Sequence, residues 1–409
     1  MATVAAPTIK CEIRFPAGPD WGDASLGSFV LGVSGLGDPS ATYSNVSSLV
    51  RDVRISRGKN RELEKFQAGH CRVVFSNLNR ELDPSYTSSA YYPNVKPGRM
   101  IRLYAVYDSV EYPIFKGTIR SWEYGYVSGG PNKGDAIATA LASDILYDVG
   151  NTEFTDTTSA GLSGQQVISI LDSINLTDRS IDTGIHNMQS TAYTRTQTLS
   201  TLHNISYSEG VDTAAIFANR TNQLVYEDAA SLDVKTNIGT LGTSSLPITD
   251  ISIEYASDLI KNNIAYTSTG LAQQVQSSAS SITDYGLKSL TKTGLLLQNN
   301  SDTSSLALLA LDQFAEAELR IREVKLRPRA NNALMLLALQ FELRQLCTIE
   351  FKPPGTGTMT QDHFIIGIKY HFQPGGNLEC TLRLNSTTGK VGANFVLGSA
   401  VLGTSKMGF

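Results

Sequence analysis

The 409-residue chain has no run of about 18 apolar residues, so no helix able to cross a bilayer is expected. Met1 to Pro16 lacks a basic start, an apolar stretch and a small-residue cleavage site, and no secretory signal is read there. Cysteine is scarce. Cys11, Cys71, Cys347 and Cys380 stand far apart, none in C-x-x-C spacing and none with a histidine at zinc-ligand distance. Buried free thiols in a reducing cytosol are expected, with no disulfide. None of the five histidines lies three or four residues from another, which gives no paired metal ligands on a helix. The phosphate-cradling G-x-x-x-x-G-K-S/T loop, the G-x-G-x-x-G turn and the H-E-x-x-H helix are all missing. No cofactor and no metal are therefore expected.

What is present is a globular composition. Hydrophobic residues make up 41% and charged residues 18%, enough for sizeable cores. The length allows about two to four domains. The net charge of −4 argues against wholesale binding to nucleic acid or anionic membrane. The charge is unevenly spread: residues 51–123 are at +5, residues 124–250 at −9, residues 1–50 at −2 and residues 251–409 at +2. The sign changes near 123 and 250 mark candidate boundaries.

Residues 50–126 read as β. Cys71, Val73 and Phe75 alternate with polar or smaller partners, as do Ile101, Leu103, Ala105 and Tyr107. Tyr112 to Tyr124 continues as a strand interrupted at Gly117. Residues 136–250 are mixed. A helix is read over Gln165 to Asp172, with Val167, Ile170, Leu171 and Ile174 on one stripe and Ser163 as its cap. A second runs from Thr198 to Glu209 and stops at Gly210. Ala214 to Phe217 and Gln223 to Glu227 form a hairpin. Ala272 to Thr283 reads as a surface loop, Ser304 to Arg320 as an amphipathic helix, and Asn331 to Glu342 as a short apolar helix. Strands follow at Arg320 to Arg327, Leu346 to Phe351, Phe364 to Phe372 and Leu378 to Leu384.

These last strands echo the first β region. Met100 to Leu103 is set against Cys347 to Glu350, and Gly117 to Trp122 against Gly367 to Phe372. The ends echo each other too, with Phe-Val-Leu-Gly at Phe29 to Gly32 and at Phe395 to Gly398. The reading is a diverged duplication: two β-barrels flanking an inserted α+β region.

Chemistry-bearing patterns are weak. Gly161-Leu162-Ser163-Gly164 is half a nucleophile elbow, but its loop-to-helix setting fits a cap better. The carboxylate pairs Glu62/Glu64 and Glu316/Glu318 carry no sign of a glycosidase beyond their proximity. Arg51 to Lys65 is basic but interleaved with Asp52, Glu62 and Glu64, which fits a protein-facing charged rim better than a nucleic-acid site.

Four motifs follow one another. Arg57-Gly58-Lys59-Asn60-Arg61-Glu62-Leu63-Glu64-Lys65-Phe66-Gln67-Ala68-Gly69 is followed by Asn77-Leu78-Asn79-Arg80-Glu81-Leu82-Asp83-Pro84. Ser89-Ala90-Tyr91-Tyr92-Pro93-Asn94-Val95-Lys96-Pro97-Gly98 comes next, then Tyr112-Pro113-Ile114-Phe115-Lys116-Gly117 with Trp122. In order and spacing this resembles the minor tail proteins of long, non-contractile-tailed bacteriophages. More weakly, Glu209-Gly210, Arg220 and Leu224 to Asp228 resemble that family's helix–hairpin insert, with Thr221-Asn222 in place of its usual Asp-Gly turn.

The resemblance implies a β-rich α+β chain of two tail-tube-like β-barrel domains joined by inserted α+β domains. The expected divisions are 1–44 as an N-terminal arm, 45–126 as the first barrel, 127–250 as an α+β insert, 251–319 as a second insert and connecting helix, 320–388 as the second barrel and 389–409 as a C-terminal arm. It implies a non-enzymatic baseplate hub at the virion tail tip, assembled in the bacterial cytoplasm. The implied partners are its own copies in a homotrimer, a distal tail or tube ring protein, a tape measure protein, and tail fibre or tip proteins. DNA is expected only in transit, past a predominantly acidic wall, and no membrane insertion is expected. The candidate subunit interface is Arg54, Arg57, Lys59, Arg61 and Lys65 with Tyr86, Tyr91 and Tyr92. A loop that folds back on its own barrel remains the other reading for the tyrosines. The alternatives are a hexameric distal ring protein and a tail-associated cell-wall glycan hydrolase.

Overall fold

The computed structural model describes residues 4–16, 43–126, 134–355, 357–373 and 375–387. Alternating burial along the early strands matches the period-two pattern: Gly69, Cys71, Val73 and Phe75 point inward from one strand, Ile101, Leu103, Ala105 and Tyr107 from another. Six strands make the first half: β1 (Thr8–Arg14), β2 (Val50–Gly58), β3 (Gln67–Ser76), β4 (Met100–Tyr107), β5 (Val110–Tyr126) and β6 (Ala136–Ser143). Six make the second: β7 (Asn237–Leu241), β8 (Asp250–Tyr255), β9 (Leu319–Leu326), β10 (Leu346–Phe351), β11 (Met359–Gln373) and β12 (Asn377–Ser386).

The halves repeat each other strand for strand. The first is ordered β2-β3-β6-β5-β4-β1 and the second β8-β9-β12-β11-β10-β7. Each strand therefore corresponds to the one six places later. The correspondence extends to an irregularity: β5 shifts register between Ile119 and Ser121 against β6, and β11 does so between Ile365 and Gly367 against β12. A bulge re-aims a strand, so both halves bend at the same point. One pairing differs in sense, since β1 is antiparallel to β4 and β7 parallel to β10.

Among the described residues no sheet closes into a barrel. The two sets of strands, with a short addition at Ser44–Asn45, form one 13-stranded sheet. The reason lies in strand length. Met359 to Phe364 of β11 pairs with β10, and Gly367 to Phe372 then pairs with β2 of the other half. The expected echo is thus real in its strands but shifted in register. Trp122 corresponds to Ile368, and Gly117 falls opposite Ile101 rather than in the place of Gly367. The N-terminal segment expected as an arm supplies β1, and the expected insert begins with β6 and ends with β7. The Phe-Val-Leu-Gly echo lies outside the described residues.

Two apolar cores result. One runs under the whole sheet and includes Phe75, Leu103, Phe115, Val324, Ile349 and Leu382. The other belongs to the insert, where α1 (Ile145–Gly150), α2 (Ser163–Ser173) and α3 (Thr198–Glu209) pack with α4 (Ala279–Tyr285) and α5 (Asn300–Phe314) nearby. The helix α6 (Asn332–Ala338) joins the first core through Leu334, Met335 and Ala338. Three sequence readings change. Ser163 is not the cap of α2 but its buried first residue, with Leu162 at the cap position. The expected loop over 272–283 contains a strand, Gln274–Ser277, and the start of α4. The helix expected to reach Arg320 ends at Phe314, and Arg320 lies in β9.

Candidate subunit interface

The basic stretch after β2 divides into buried and exposed parts. Gly58 makes the turn out of β2 at φ +99, and a Cβ there would stand 2.2 Å from the carbonyl oxygen of Ile366. That close approach lets Lys59 donate its backbone N–H to Ile366 at 2.8 Å. Arg57 points inward by strand alternation, on the same face as Val53 and Ile55, and Lys59 is carried inward after the turn. Both are 4% exposed. Arg57 donates to Glu342 at 2.8 Å, and Glu342 also accepts the Arg220 N–H at 2.9 Å. Lys59 pairs with Asp212, which accepts in turn from Asn385 at 2.8 Å. These two cations tie the half-sheets to each other and to the insert within one chain, which leaves Arg54, Arg61 and Lys65 as the candidates nearer the surface. A buried charge is tolerated only when paired, and Arg57 and Lys59 each have a carboxylate.

The other cations stay near the surface. Arg54 is exposed, with Asp52 at 3.3 Å. Arg61 reaches Asp258 at 2.6 Å and Glu254 at 3.5 Å. Lys65 is exposed. The structure thus places Arg54 and the Arg61–Lys65 pair on separate sides of the Gly58 turn.

The tyrosine loop is held at several points. Asp83 accepts from the Ser85 N–H at 2.8 Å and the Ser85 hydroxyl at 2.7 Å. Arg80 adds an ion pair at 2.8 Å. The Ser85 hydroxyl first, with the Arg80 guanidinium, holds the Asp83 carboxyl down to about 2. Tyr86 lies under the Arg80 guanidinium at 4.9 Å. Tyr91 stacks on Phe15 at 4.3 Å, which makes it an anchor of the loop on its own chain. Tyr92 is the tyrosine of the three that stays exposed.

The weak catalytic patterns resolve into structure. Ser163 is buried, and its hydroxyl accepts from the Tyr226 hydroxyl at 2.7 Å. Beside it, buried Glu209 accepts the N–H groups of Ile185 at 2.6 Å and His186 at 3.2 Å. Glu62 is buried against Arg320 at 3.2 Å, and Arg320 also meets Glu318. Each group is engaged in holding a turn or a strand. The four cysteines are free and buried; burial pushes the Cys347 thiol up to about 12, which leaves it inert at neutral pH. Among the described residues no group of three or more His, Cys, Asp or Glu is placed to hold a metal ion, and no helix is long and apolar enough to cross a membrane.

Two edges escaped the sequence reading. β8 ends the sheet, and Ser121 to Tyr126 of β5 has no strand on its β4 side among the described residues. Tyr126, Ile253 and Tyr255 are 59%, 38% and 66% exposed there. Neither edge bears a motif, and the signal that finds them is the comparison of one half-sheet with the other.

No protein-family model matches the sequence, and no curated protein matches it. Among solved structures, the fold is similar to that of the tail protein from Neisseria meningitidis MC58. The TM-score is 0.58 at 10% identity, over 93% of this chain and 97% of that one. It is also similar to the 43 kDa tail protein of prophage MuSo2 from Shewanella oneidensis, with a TM-score of 0.57 at 9% identity over 93% and 97% of the two chains. Coverage this wide takes in both half-sheets and the insert together. The chain therefore has the fold of phage tail proteins.

Proposed function

We propose that the chain is a structural baseplate or tail-tip hub, three copies of which continue a six-fold tail tube. The observation that carries this reading is the six-for-six correspondence of strands. One chain brings two tube-like units, so three chains bring six. The joint inside the chain supplies a template for the joint between chains. β11 meets β2 with Tyr370 opposite Ile55 and Phe372 opposite Val53. The counterpart of that part of β11 is Ser121 to Tyr126, and the counterpart of β2 is β8. Both stretches lack a strand on one side among the described residues, and both expose apolar side chains. Such an edge is a hazard unless something covers it. Copying the inner register sets Tyr124 opposite Ile253 of the partner subunit and Tyr126 opposite Ile251 of the partner subunit. A heterologous contact of this kind makes a ring where the rotation closes.

In this reading the ring contacts a distal tail or tube ring protein, the tape measure protein, and fibre or tip proteins at the virion tail tip. DNA passes it in transit, and the chain performs no catalysis. The native mass should be about three times 44.2 kDa. A monomer at micromolar concentration overturns the hub, and a six-chain ring favours the distal ring instead. A second measurement locates the contact. The double variant Gly125→Cys with Ser252→Cys places thiols at the counterparts of His371 and Arg54. Oxidation should link chains to a ladder that stops at three.

A further inference from the structure

The joint between the half-sheets carries an open cavity of about 830 Å³ on the sheet face turned away from the main core. Its walls are cationic. Arg54, Arg72, Arg120 and Lys369 line it together with two histidines, His70 and His371, and Glu379 is the single carboxylate in the lining. Some of this charge is engaged. Asp52 stands 3.3 Å from Arg54 and 2.8 Å from His371, and Arg120 lies 3.1 Å over the Tyr147 ring. The side chains of Arg72 and Lys369 make no ion pair or hydrogen bond among the described residues.

The strand registers bring like charges together. Arg54 stands directly opposite Arg72 on β3, and β11 brings Lys369 to the same joint, opposite Ser56. Directly opposed like charges destabilise a sheet, and a ligand of the other sign relieves that cost. The second half of the molecule serves as an internal comparison. By register, Ser252 occupies the place of Arg54, Glu323 that of Arg72, and Glu123 that of Lys369. The cations are therefore no by-product of the duplicated fold. They belong to this joint alone.

We propose that this cavity holds the phosphate backbone of a nucleic acid without reading its bases. Guanidinium groups meet phosphate oxygens through paired donors. Of the two tyrosines in the lining, Tyr147 is covered by Arg120 and Tyr370 is buried, so no stacking platform is offered, and contact is confined to the backbone. The choice of a nucleic acid over an acidic peptide rests on the hub reading, in which DNA passes the chain. The acidic DNA-facing wall expected from the sequence has the opposite sign to this face.

The test uses the full chain and labelled single-stranded and duplex oligonucleotides, followed by fluorescence anisotropy at several salt concentrations. Binding should weaken steeply with salt, through counterion release. Arg54→Ser with Arg72→Gln should weaken it about tenfold or more and lower the salt slope by about one per cation removed. Glu323→Gln, at the matching place in the other half, should leave affinity unchanged. Unaltered thermal midpoints show that the variants are folded. Absence of oligonucleotide binding at low salt overturns the proposal, and so does displacement by polyglutamate at equal charge concentration, which assigns the cavity to an acidic protein segment. A trimer that binds no oligonucleotide sinks this inference and spares the hub. A monomer that binds one does the reverse.

Discussion

Lys59 and Asp212 show at the residue scale how a charged motif is spent inside the chain. Their side chains are 4% and 1% exposed, and the Lys59 ammonium also lies 5.3 Å over the Phe66 ring. Lys59→Met should leave Asp212 buried without its counter-charge and cost about 3–5 kcal/mol. Urea unfolding measures this, and Lys59→Met with Asp212→Asn should recover part of the loss. His203 on α3 offers a second residue-scale prediction. Burial, with Lys65 nearby, lowers its value to about 4. The folded state therefore resists a proton that the unfolded chain accepts near 6.5. Its contribution is full above that value and is lost as pH falls toward 4, by on the order of 2–3 kcal/mol. Stability measured from pH 7 down to 4 should fall less steeply in His203→Gln. Equal slopes in the two proteins would remove His203 from the account.

At the scale of elements, strand length decides the architecture. β5 and β11 are long enough to pair twice along one edge. β11 uses both stretches within the chain, and β5 uses one. Gly58 is the hinge of that second pairing. Its positive φ and its contact with Ile366 leave no room for a side chain. Gly58→Ala should thus loosen the β2–β11 joint and cost more than the roughly 1 kcal/mol of an unstrained glycine substitution. Amide exchange should quicken at Lys369 to His371 ahead of the β5–β6 pairing. Uniform exchange across both would place the strain elsewhere. The loop from Asp83 to Gly98 behaves differently, since Asp83, Tyr86 and Tyr91 are all engaged within the chain, leaving Tyr92 as its exposed aromatic.

For the molecule as a whole, the two half-sheets share one core, and a few buried ion pairs tie the insert, which has its own core, to them. Arg57 with Glu342, Lys59 with Asp212 and Arg344 with Glu227 each link segments more than one hundred residues apart. The insert is thus anchored to the joint rather than hung from it. That arrangement holds the two half-sheets at a fixed angle, as the proposed hub requires. The trimer mass and the three-chain cross-link ladder test it at this scale.

Periodicity alone marked β3 and β4, where burial on one face imposes a spacing that neighbours in sequence already display. The Gly210 stop marked α3, and the turn at Asn219 to Asn222 marked the hairpin after it. The duplication was visible through paired strands broken by glycine and ending in aromatics. The register between the halves was not visible, because a bulge shifts it by a residue without leaving any mark in composition. Nor could the sequence divide Arg57 and Lys59 from Arg54 and Lys65. All four read as surface charge until strand alternation buries Arg57 and the Gly58 turn carries Lys59 inward, to carboxylates that lie far along the chain. The basic cavity arises in the same way, from strands brought side by side by pairing across more than three hundred residues. Local pattern fixes which face of an element is buried. Only the tertiary pairing decides which buried charges meet and which edges remain open.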